Sequence, residues 1–562
     1  MRVASIGNLL ASKNIGAINA SANLNFISLA PIQDKVSFKG NIESKPINVD
    51  VDRAEIIANS LSTSTSGHRA PYGSELFNKD TVELMTLGVA KYAKDVAKEQ
   101  GKKPVVLIGG DTRQATRESL DLIKNTLNDQ GVDVLYVDKP VPTPLHALKT
   151  KQDDIDIAVL MTASHNPWSD GGYNLVTKEG AIAPPSVTKK VADNMVQIAK
   201  EGRYTVDNDN KGSSKTLFPY ESYKDTINSY DMVDWKKIKD ANISVYYDGL
   251  HGTGGNVFPK LLSDYNIPVK NVDSGEKEGP NPTSENLIEV KEALKNDKNP
   301  LKIGLANDGD ADRFGLVDEN GKFISPNDVI LLTAYHLAKN KDKTGAIIRS
   351  QATSSQMDIF AKNNGLKVIQ TPVGFKYIAE DILKEREEGK DILVAGEESG
   401  GLTVNGHIPE KDGIIALLLM LDLVATEKKP ISQILDDVKK DMNTEFRADS
   451  FSKKLDNEAD KTVIMNRMNN IYEKAISGDD SFGDKFKIDV DKTLETKKEI
   501  EQYKKGGDGV KLYMTDGSSV LVRKSGTEPK VKAYIEVAKQ DPQEADQTVK
   551  DLRKELEQVF TI

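Results

Sequence analysis

Beyond the first 45 or so residues, short β-rich apolar runs alternate with longer stretches of amphipathic, helical periodicity. That alternation is the pattern of βα units built around mainly parallel sheets. Residues 105–108, 155–160, 243–247, 303–306, 346–348 and 392–395 are predicted as buried strands. Residues 328–339, 375–387 and 413–426 are predicted as helices, with Asp412 standing at an N-cap position. A faint internal repeat runs through this region. Three times a strand opens onto a Gly or Ser/Thr loop, at Gly110, Asp248 and Ser350. Three times a second strand follows and ends in a polar loop, at Ser164, Asp308 and Glu397. Three related α/β domains would put three such loops at strand ends, where open sheets carry their ligand sites.

The pattern changes from about residue 450. A charged, broken stretch leads to apolar runs at 510–514, 520–522 and 531–537 and an amphipathic helix at 544–560, with loops at 478–483 and 504–509. This predicts a small C-terminal α+β domain with an antiparallel sheet. The first 45 residues are Asn/Ala/Ser-rich, show no period and lack the dense apolar core of a signal peptide. They are expected to form a disordered or loosely packed extension.

Composition narrows the function classes. A chain of 562 residues is too long for one core. Its net charge of −10 argues against a nucleic-acid partner, so any phosphate chemistry needs locally placed cations. With no cysteine, disulfides, thiolate nucleophiles and Cys-metal sites are excluded, which fits a reducing, cytoplasmic setting. No apolar run approaches the ~20 residues that span a bilayer.

Four motifs carry chemistry. In Thr162-Ala163-Ser164-His165-Asn166-Pro167, Ser164 stands at a strand-to-loop exit. A Ser–His hydrolase is disfavoured, because neighbours on an extended backbone face opposite sides and the Gly-x-Ser-x-Gly elbow is missing. A serine that carries a phosphoryl group fits better. Asp308, Asp310 and Asp312 alternate, so an extended loop would line up three hard oxygen ligands suited to Mg²⁺. An EF-hand through Glu319 is a rival that Arg313 at the loop's sixth position opposes. An aspartyl-phosphate enzyme using Asp308, or a solvated acidic turn, are others. Glu397 and Ser399 in a Gly-flanked loop offer an acceptor and a hydroxyl for vicinal sugar hydroxyls. Arg523, Ser525, Gly526 and Thr527 form a compact set of oxyanion donors.

In this order and spacing the four motifs resemble the α-D-phosphohexomutase family, the phosphoglucomutases and phosphomannomutases, from about Ser62 to the C-terminus. Secondary matches are Thr65-Ser66-Gly67-His68-Arg69, Gly110-Asp111-Thr112-Arg113 and Thr371-Pro372-Val373-Gly374-Phe375-Lys376. The resemblance implies three related α/β domains with mixed, mainly parallel sheets plus a C-terminal α+β domain, around a central cleft. The expected boundaries are 1–45 for the extension and 46–235, 236–343, 344–447 and 448–562 for domains I to IV. It also implies that Ser164 is phosphorylated, and that Asp308, Asp310 and Asp312 bind one Mg²⁺ with it. Arg69, Arg113, Arg313 and Lys376 would line the reacting phosphate, with His165 and Lys376 the candidates for proton transfer. Glu397 and Ser399 would grip the sugar, and Arg523, Ser525, Gly526 and Thr527 the other phosphate. Ala70, where many members have Gly, is a departure, as is the extension.

The expected reaction interconverts glucose 1-phosphate and glucose 6-phosphate through a phosphoserine and glucose 1,6-bisphosphate, which also primes the enzyme. The last domain is expected to close over the substrate through 523–527. Mannose phosphate, alone or as a shared activity, is the alternative. A phosphatase and a silent sugar-phosphate binder are more remote ones. A hexose phosphate is the expected partner, with no nucleic acid or membrane, on a monomer or weak dimer.

Overall fold

The computed structural model describes residues 41–64, 66–275, 277–455, 457–503, 509–524 and 530–561. Three of its sheets share one strand order. In the first, Asp133–Val137, Val105–Gly110 and Ile157–Met161 run parallel, and Asp170–Val176 returns antiparallel beside the third. The second repeats this with Val269–Asn271, Ser244–Asp248, Lys302–Asn307 and the returning Phe314–Val317. The third repeats it with Val368–Thr371, Ala346–Ser350, Ile392–Glu397 and the returning Gly401–Val404. The faint sequence repeat is therefore a repeat of topology. Each polar loop expected from sequence is the connection between the third strand and its antiparallel return.

All six predicted strands form, and each ends one or two residues beyond its apolar run, on Gly110, Met161, Asp248, Asn307, Ser350 and Glu397. Backbone pairing continues where the hydrophobic signal stops, because a ladder needs only N–H and C=O groups. The first sheet gains two outer strands, His68–Pro71 and Ser214–Leu217. A further antiparallel pair joins Ile42–Pro46 to Arg203–Asp207, so the end of the segment expected as an extension is a strand. Residues 1–40 lie outside the described residues.

The helices follow the sequence closely. Phe375–Glu387 forms as expected. The predicted helix over 328–339 starts at Pro326, capped by Ser325, and widens into a π turn at His336–Asn340, which sets His336 Nε2 2.7 Å from Asp422. Helix Gly413–Glu427 is buried on every side from Gly413 to Ala425, as a helix apolar all round must be. Its one interior charge, Asp422, is satisfied by His336, by Lys341 at 2.7 Å and by the Asp234 N–H at 2.6 Å. Asp412 caps it by accepting from the Ile414 and Ile415 N–H groups at 2.8 and 3.0 Å.

The C-terminal part is an antiparallel sheet in the order Glu445–Lys454, Lys530–Lys539, Ser519–Lys524, Gly509–Tyr513, with helices Glu458–Ile476, Val490–Glu501 and Pro542–Val559. Two corrections apply. The loop expected at 478–483 contains a short strand, Ser481–Phe482, paired with Phe486–Lys487. In the segment 504–509, residues 504–508 lie outside the described residues and Gly509 opens a strand. The C-terminal core, from Leu455 to Phe560, is separate from a core that runs without break from Leu107 through the second and third sheets to Met442.

Candidate active site

Ser164 sits in the hairpin loop between Ile157–Met161 and Asp170–Val176 and is 2 % exposed. Its φ is +52°, a left-handed conformation uncommon for a residue with a side chain. Thr162 Oγ1 accepts the Ser164 N–H at 2.8 Å, and the returning strand passes so close that a Cβ on Gly172 would lie 1.9 Å from the Thr162 carbonyl oxygen. The loop is therefore coiled, and this corrects the expectation that His165 faces away. His165 Nδ1 lies 3.3 Å from Ser164 Oγ. The Arg313 guanidinium first, then burial, then Arg69, Lys411 and Lys532 hold the imidazole's pKa well below its ordinary value, so the ring is neutral near pH 7.

Arg113 departs from its expected role beside the reacting phosphate. Its side chain is buried and fully engaged in holding the serine loop. Nε donates to Asp111 Oδ2 at 3.0 Å, and one terminal nitrogen donates to the carbonyls of Ser164 and Asn166 at 2.5 and 2.8 Å. The other donates to the carbonyl of Pro167, and the guanidinium stacks 5.0 Å from the Trp168 ring centre. Arg113 thus shapes the loop from beneath.

The three aspartates occupy a tight turn between Lys302–Asn307 and Phe314–Val317, with Ala311 at φ +56°, where sequence suggested an extended loop. One carboxylate oxygen from each still lies within 4.8 Å of the others, all buried. Asp308 Oδ2 accepts from Ser164 Oγ at 2.7 Å, joining the first two domains, and its Oδ1 accepts the Arg313 N–H at 3.1 Å. Asp310 Oδ2 accepts from Thr143 Oγ1 at 2.7 Å. Asp312 Oδ2 accepts from Lys411 Nζ. That leaves Asp310 Oδ1 and Asp312 Oδ1 buried without hydrogen-bond partners. A divalent cation supplies the positive partner that buried carboxylate oxygens without a donor lack. Burial, then Asp310 and Asp312, push Asp308 well above the carboxylate range, and burial and Asp312 raise Asp310 to about 6. Burial also opposes ionisation of Asp312, but Lys411 and Arg313 outweigh it and hold the group low. The EF-hand alternative fails, because the flanks are strands and Glu319 is turned to Ser432 and Asn320.

Arg313 bridges to the third domain. Its terminal nitrogen donates to the Ser399 carbonyl at 3.4 Å, and its Nε is buried without a hydrogen bond 3.8 Å from Asp312. Arg69, in the edge strand His68–Pro71, donates to Asn166 Oδ1 at 3.1 Å and also leaves Nε unpartnered. Ala70 pairs with Gly171 in regular register, so the departure at that position leaves the strand intact. Glu397 is buried. Burial and Glu398 raise its pKa to about 7, against the Gly374 N–H that donates to it at 2.7 Å. Ser399 is exposed beside it. Lys376, in the first turn of Phe375–Glu387, lines a small pocket with Ser62, Ser64, Gly67 and Leu175 of the first domain.

Arg523 lies near the end of Ser519–Lys524 and hydrogen-bonds Tyr534, whose hydroxyl feels Glu398 and Glu397. The fourth domain thus lies within electrostatic reach of the sugar loop. Ser525, Gly526 and Thr527 lie outside the described residues. Sequence reasoning missed Thr143, Tyr534 and the contact of Lys411 with Asp312. Thr143 and Lys411 are ordinary residue types whose partners are distant in the chain, and Tyr534 reaches Arg523 across a strand pair.

Comparison with known proteins agrees with this geometry. Four family models match in order: phosphoglucomutase/phosphomannomutase α/β/α domain I at residues 60–202, domain II at 221–321, domain III at 325–441 and the C-terminal domain at 486–555. A phosphoglucomutase/phosphomannomutase of Thermococcus kodakarensis is 27% identical over 475 residues, covering 83% of this chain and 93% of its own. A phosphoglucosamine mutase of Corynebacterium jeikeium is 26% identical over 62% of this chain and 76% of its own. The open form of parafusin, a phosphoglucomutase of Paramecium, shares the fold with a TM-score of 0.72 at 20% identity, over 92% of this chain and 96% of its own. With all four domain models matched in sequence order, this chain belongs to the α-D-phosphohexomutase family and is an isomerase that transfers phosphate intramolecularly.

Proposed function

We propose that this mutase interconverts glucose 1-phosphate and glucose 6-phosphate, with Ser164 as the phosphoryl carrier and glucose 1,6-bisphosphate as intermediate and primer. One observation carries the reading. Ser164 Oγ lies 2.7 Å from Asp308, beside two buried carboxylate oxygens that have no donor. Asp308, Asp310 and Asp312, with an oxygen of phosphorylated Ser164, would hold one Mg²⁺. That ion, when bound, offsets charge on the phosphoryl oxygens.

The protein's own groups do the rest. A hydroxyl of the sugar attacks phosphorus, a new O–P bond forms, and the Ser164 Oγ–P bond breaks. The proton of that hydroxyl must reach Ser164 Oγ. His165, neutral and 3.3 Å from Oγ, is placed to relay it, whereas Lys376 lines a pocket against 62–67. The unpartnered Nε groups of Arg69 and Arg313 are buried donors for phosphoryl oxygens. Glu397 and Ser399 hold sugar hydroxyls, and Arg523, Ser525, Gly526 and Thr527 hold the phosphate that is not reacting. After the bisphosphate turns round, the same atoms run the transfer in reverse and Ser164 is rephosphorylated.

Intact-mass measurement tests the carrier. A phosphoryl adduct is expected on the active protein and is lost, together with turnover, in Ser164→Ala. Turnover retained in Ser164→Ala refutes it. The substrate is tested by kcat/KM for glucose, mannose and glucosamine 1-phosphates under glucose 1,6-bisphosphate priming. A higher value for mannose or glucosamine phosphate refutes the glucose preference.

A further inference from the structure

Behind the metal turn lies a buried polar network that the reaction as written does not use. Asp412 is fully buried, and each of its carboxylate oxygens accepts two hydrogen bonds. Oδ1 takes the Ile414 and Ile415 N–H groups. Oδ2 takes the Tyr223 hydroxyl at 2.7 Å and His407 Nε2 at 2.7 Å. Because Asp412 accepts from Nε2, that nitrogen carries the proton, and His407 Nδ1 faces the Tyr230 hydroxyl at 2.9 Å. Tyr223 belongs to helix Tyr220–Ser229 and Tyr230 follows it, so two phenols from one element grip one turn of the third domain.

The other end of that turn touches the metal loop. Lys411, next to Asp412, places Nζ on Asp312 and 3.3 Å from Glu410. The Gly413 N–H donates to the Ala311 carbonyl at 3.1 Å, and a Cβ on Gly413 would lie 2.4 Å from the Arg313 carbonyl oxygen, so the backbones pack directly. The turn is thus clamped at one face by Tyr223 and Tyr230 and presents a fixed ammonium at the other. An ammonium on Asp312 and a divalent cation draw on the same negative charge.

We infer that the Tyr223–Asp412–His407–Tyr230 network is a positioning device that holds Lys411 against Asp312 and thereby weakens and orients cation binding by the aspartate trio. Its members act through Lys411 and the turn that carries it. The inference rests on the proposed role of Asp308, Asp310 and Asp312. Loosening the clamp frees Lys411 to leave Asp312, so the ion binds tighter while turnover falls. Loss of structure alone would weaken both.

The test uses the full chain stripped of metal, with Mn²⁺ as the probe and binding followed by electron paramagnetic resonance, alongside kcat. Lys411→Met should bind Mn²⁺ roughly tenfold tighter, the size of one unit charge removed at a partly screened distance. Tyr223→Phe should tighten binding several-fold and lower kcat. In the Lys411→Met background it should change Mn²⁺ affinity no further, since its effect passes through the ammonium. Tyr230→Phe, at the half-buried end of the network, is the milder variant should Tyr223→Phe melt early. Unchanged or weaker Mn²⁺ binding in folded Tyr223→Phe or Tyr230→Phe, or full additivity with Lys411→Met, overturns the inference. Failure of the unsubstituted protein to bind Mn²⁺, or binding that survives Asp310→Asn, instead overturns the metal assignment.

Discussion

Arg113→Ala separates two roles that a buried arginine beside a phosphate loop can have. In the structure the guanidinium is spent on Asp111 and on the carbonyls of Ser164, Asn166 and Pro167. Truncation leaves Asp111 Oδ2 without its cation and the Ser164 and Asn166 carbonyls without donors, while the Pro167 carbonyl keeps the Asp170 N–H at 3.0 Å. The Arg113 N–H and Thr116 Oγ1 continue to donate to Asp111 Oδ1, so that carboxylate is only half stripped. Removing one partner of a buried ion pair costs about 3–5 kcal/mol. For a domain of this size that is a drop of roughly 10 °C in melting temperature. The serine loop should lose its left-handed turn at the same time, so kcat should fall by about 100-fold or more through misplacement of Oγ. Arg113→Lys keeps the charge but cannot fork to the carbonyls, and should lose nearly as much. The assay is differential scanning calorimetry of the metal-free protein, read on the transition of the body that carries the serine loop, together with steady-state kinetics. An arginine whose business is phosphate would behave oppositely. Its removal would leave melting unchanged or higher while raising KM. Arg113→Ala that melts within about 1 °C of the parent and loses only activity refutes the loop-scaffold reasoning.

Three further outcomes follow from the geometry. Asp310 is raised to about 6, so in the metal-free protein it favours the folded state below its unfolded pKa and that stability is lost as pH rises through about 6. Relative to Asp310→Asn, the parent should lose about 3 kcal/mol between about pH 4 and pH 7 in chelator, measured by denaturant titration, and an equal pH profile for the two proteins would be contrary evidence. Gly172→Ala should destabilise by about 3 kcal/mol or more, because a Cβ 1.9 Å from the Thr162 carbonyl oxygen cannot be accommodated without moving the serine loop, and a normal melting curve would contradict the packing. Glu536 accepts the Ser355 N–H at 2.9 Å at the start of helix Gln356–Asn363, so Glu536→Gln should increase amide exchange at 355–358 without unfolding the C-terminal sheet; unchanged exchange there would count against a linking role.

The sequence carried the strands because each is a continuous apolar run, and it placed their ends slightly early because hydrogen-bonded pairing persists into Asp248, Asn307, Ser350 and Glu397. Helix 375–387 was legible to the residue, since its periodic face and flanking Gly374 agree. The aspartate trio was found for its spacing, yet the reason given, an extended loop, was wrong, and the positive φ of Ala311 brings the carboxylates together instead. The same kind of error misjudged His165, because nothing in the letters Ser-His announces a left-handed serine. Arg113 was read by its charge, whereas its function depends on which carbonyls surround it. Lys411 and Asp312 are 99 positions apart, and no periodicity links them.

The division of the hydrophobic cores has a mechanical consequence. The seam between the third and fourth domains is crossed by Ser355 to Glu536, Lys511 to the Gln351 carbonyl and Tyr503 to Asp381. Phe446 packs at the crossing and the Tyr377 and Tyr503 rings meet edge to face with centres 5.8 Å apart, but the two buried cores stay separate. Water can replace such polar joints at little net cost, while it could not replace a shared oily interface. A joint built largely of such contacts can part and re-form while baring little greasy surface, and on the proposed mechanism that parting is what would give a bisphosphate room to turn round.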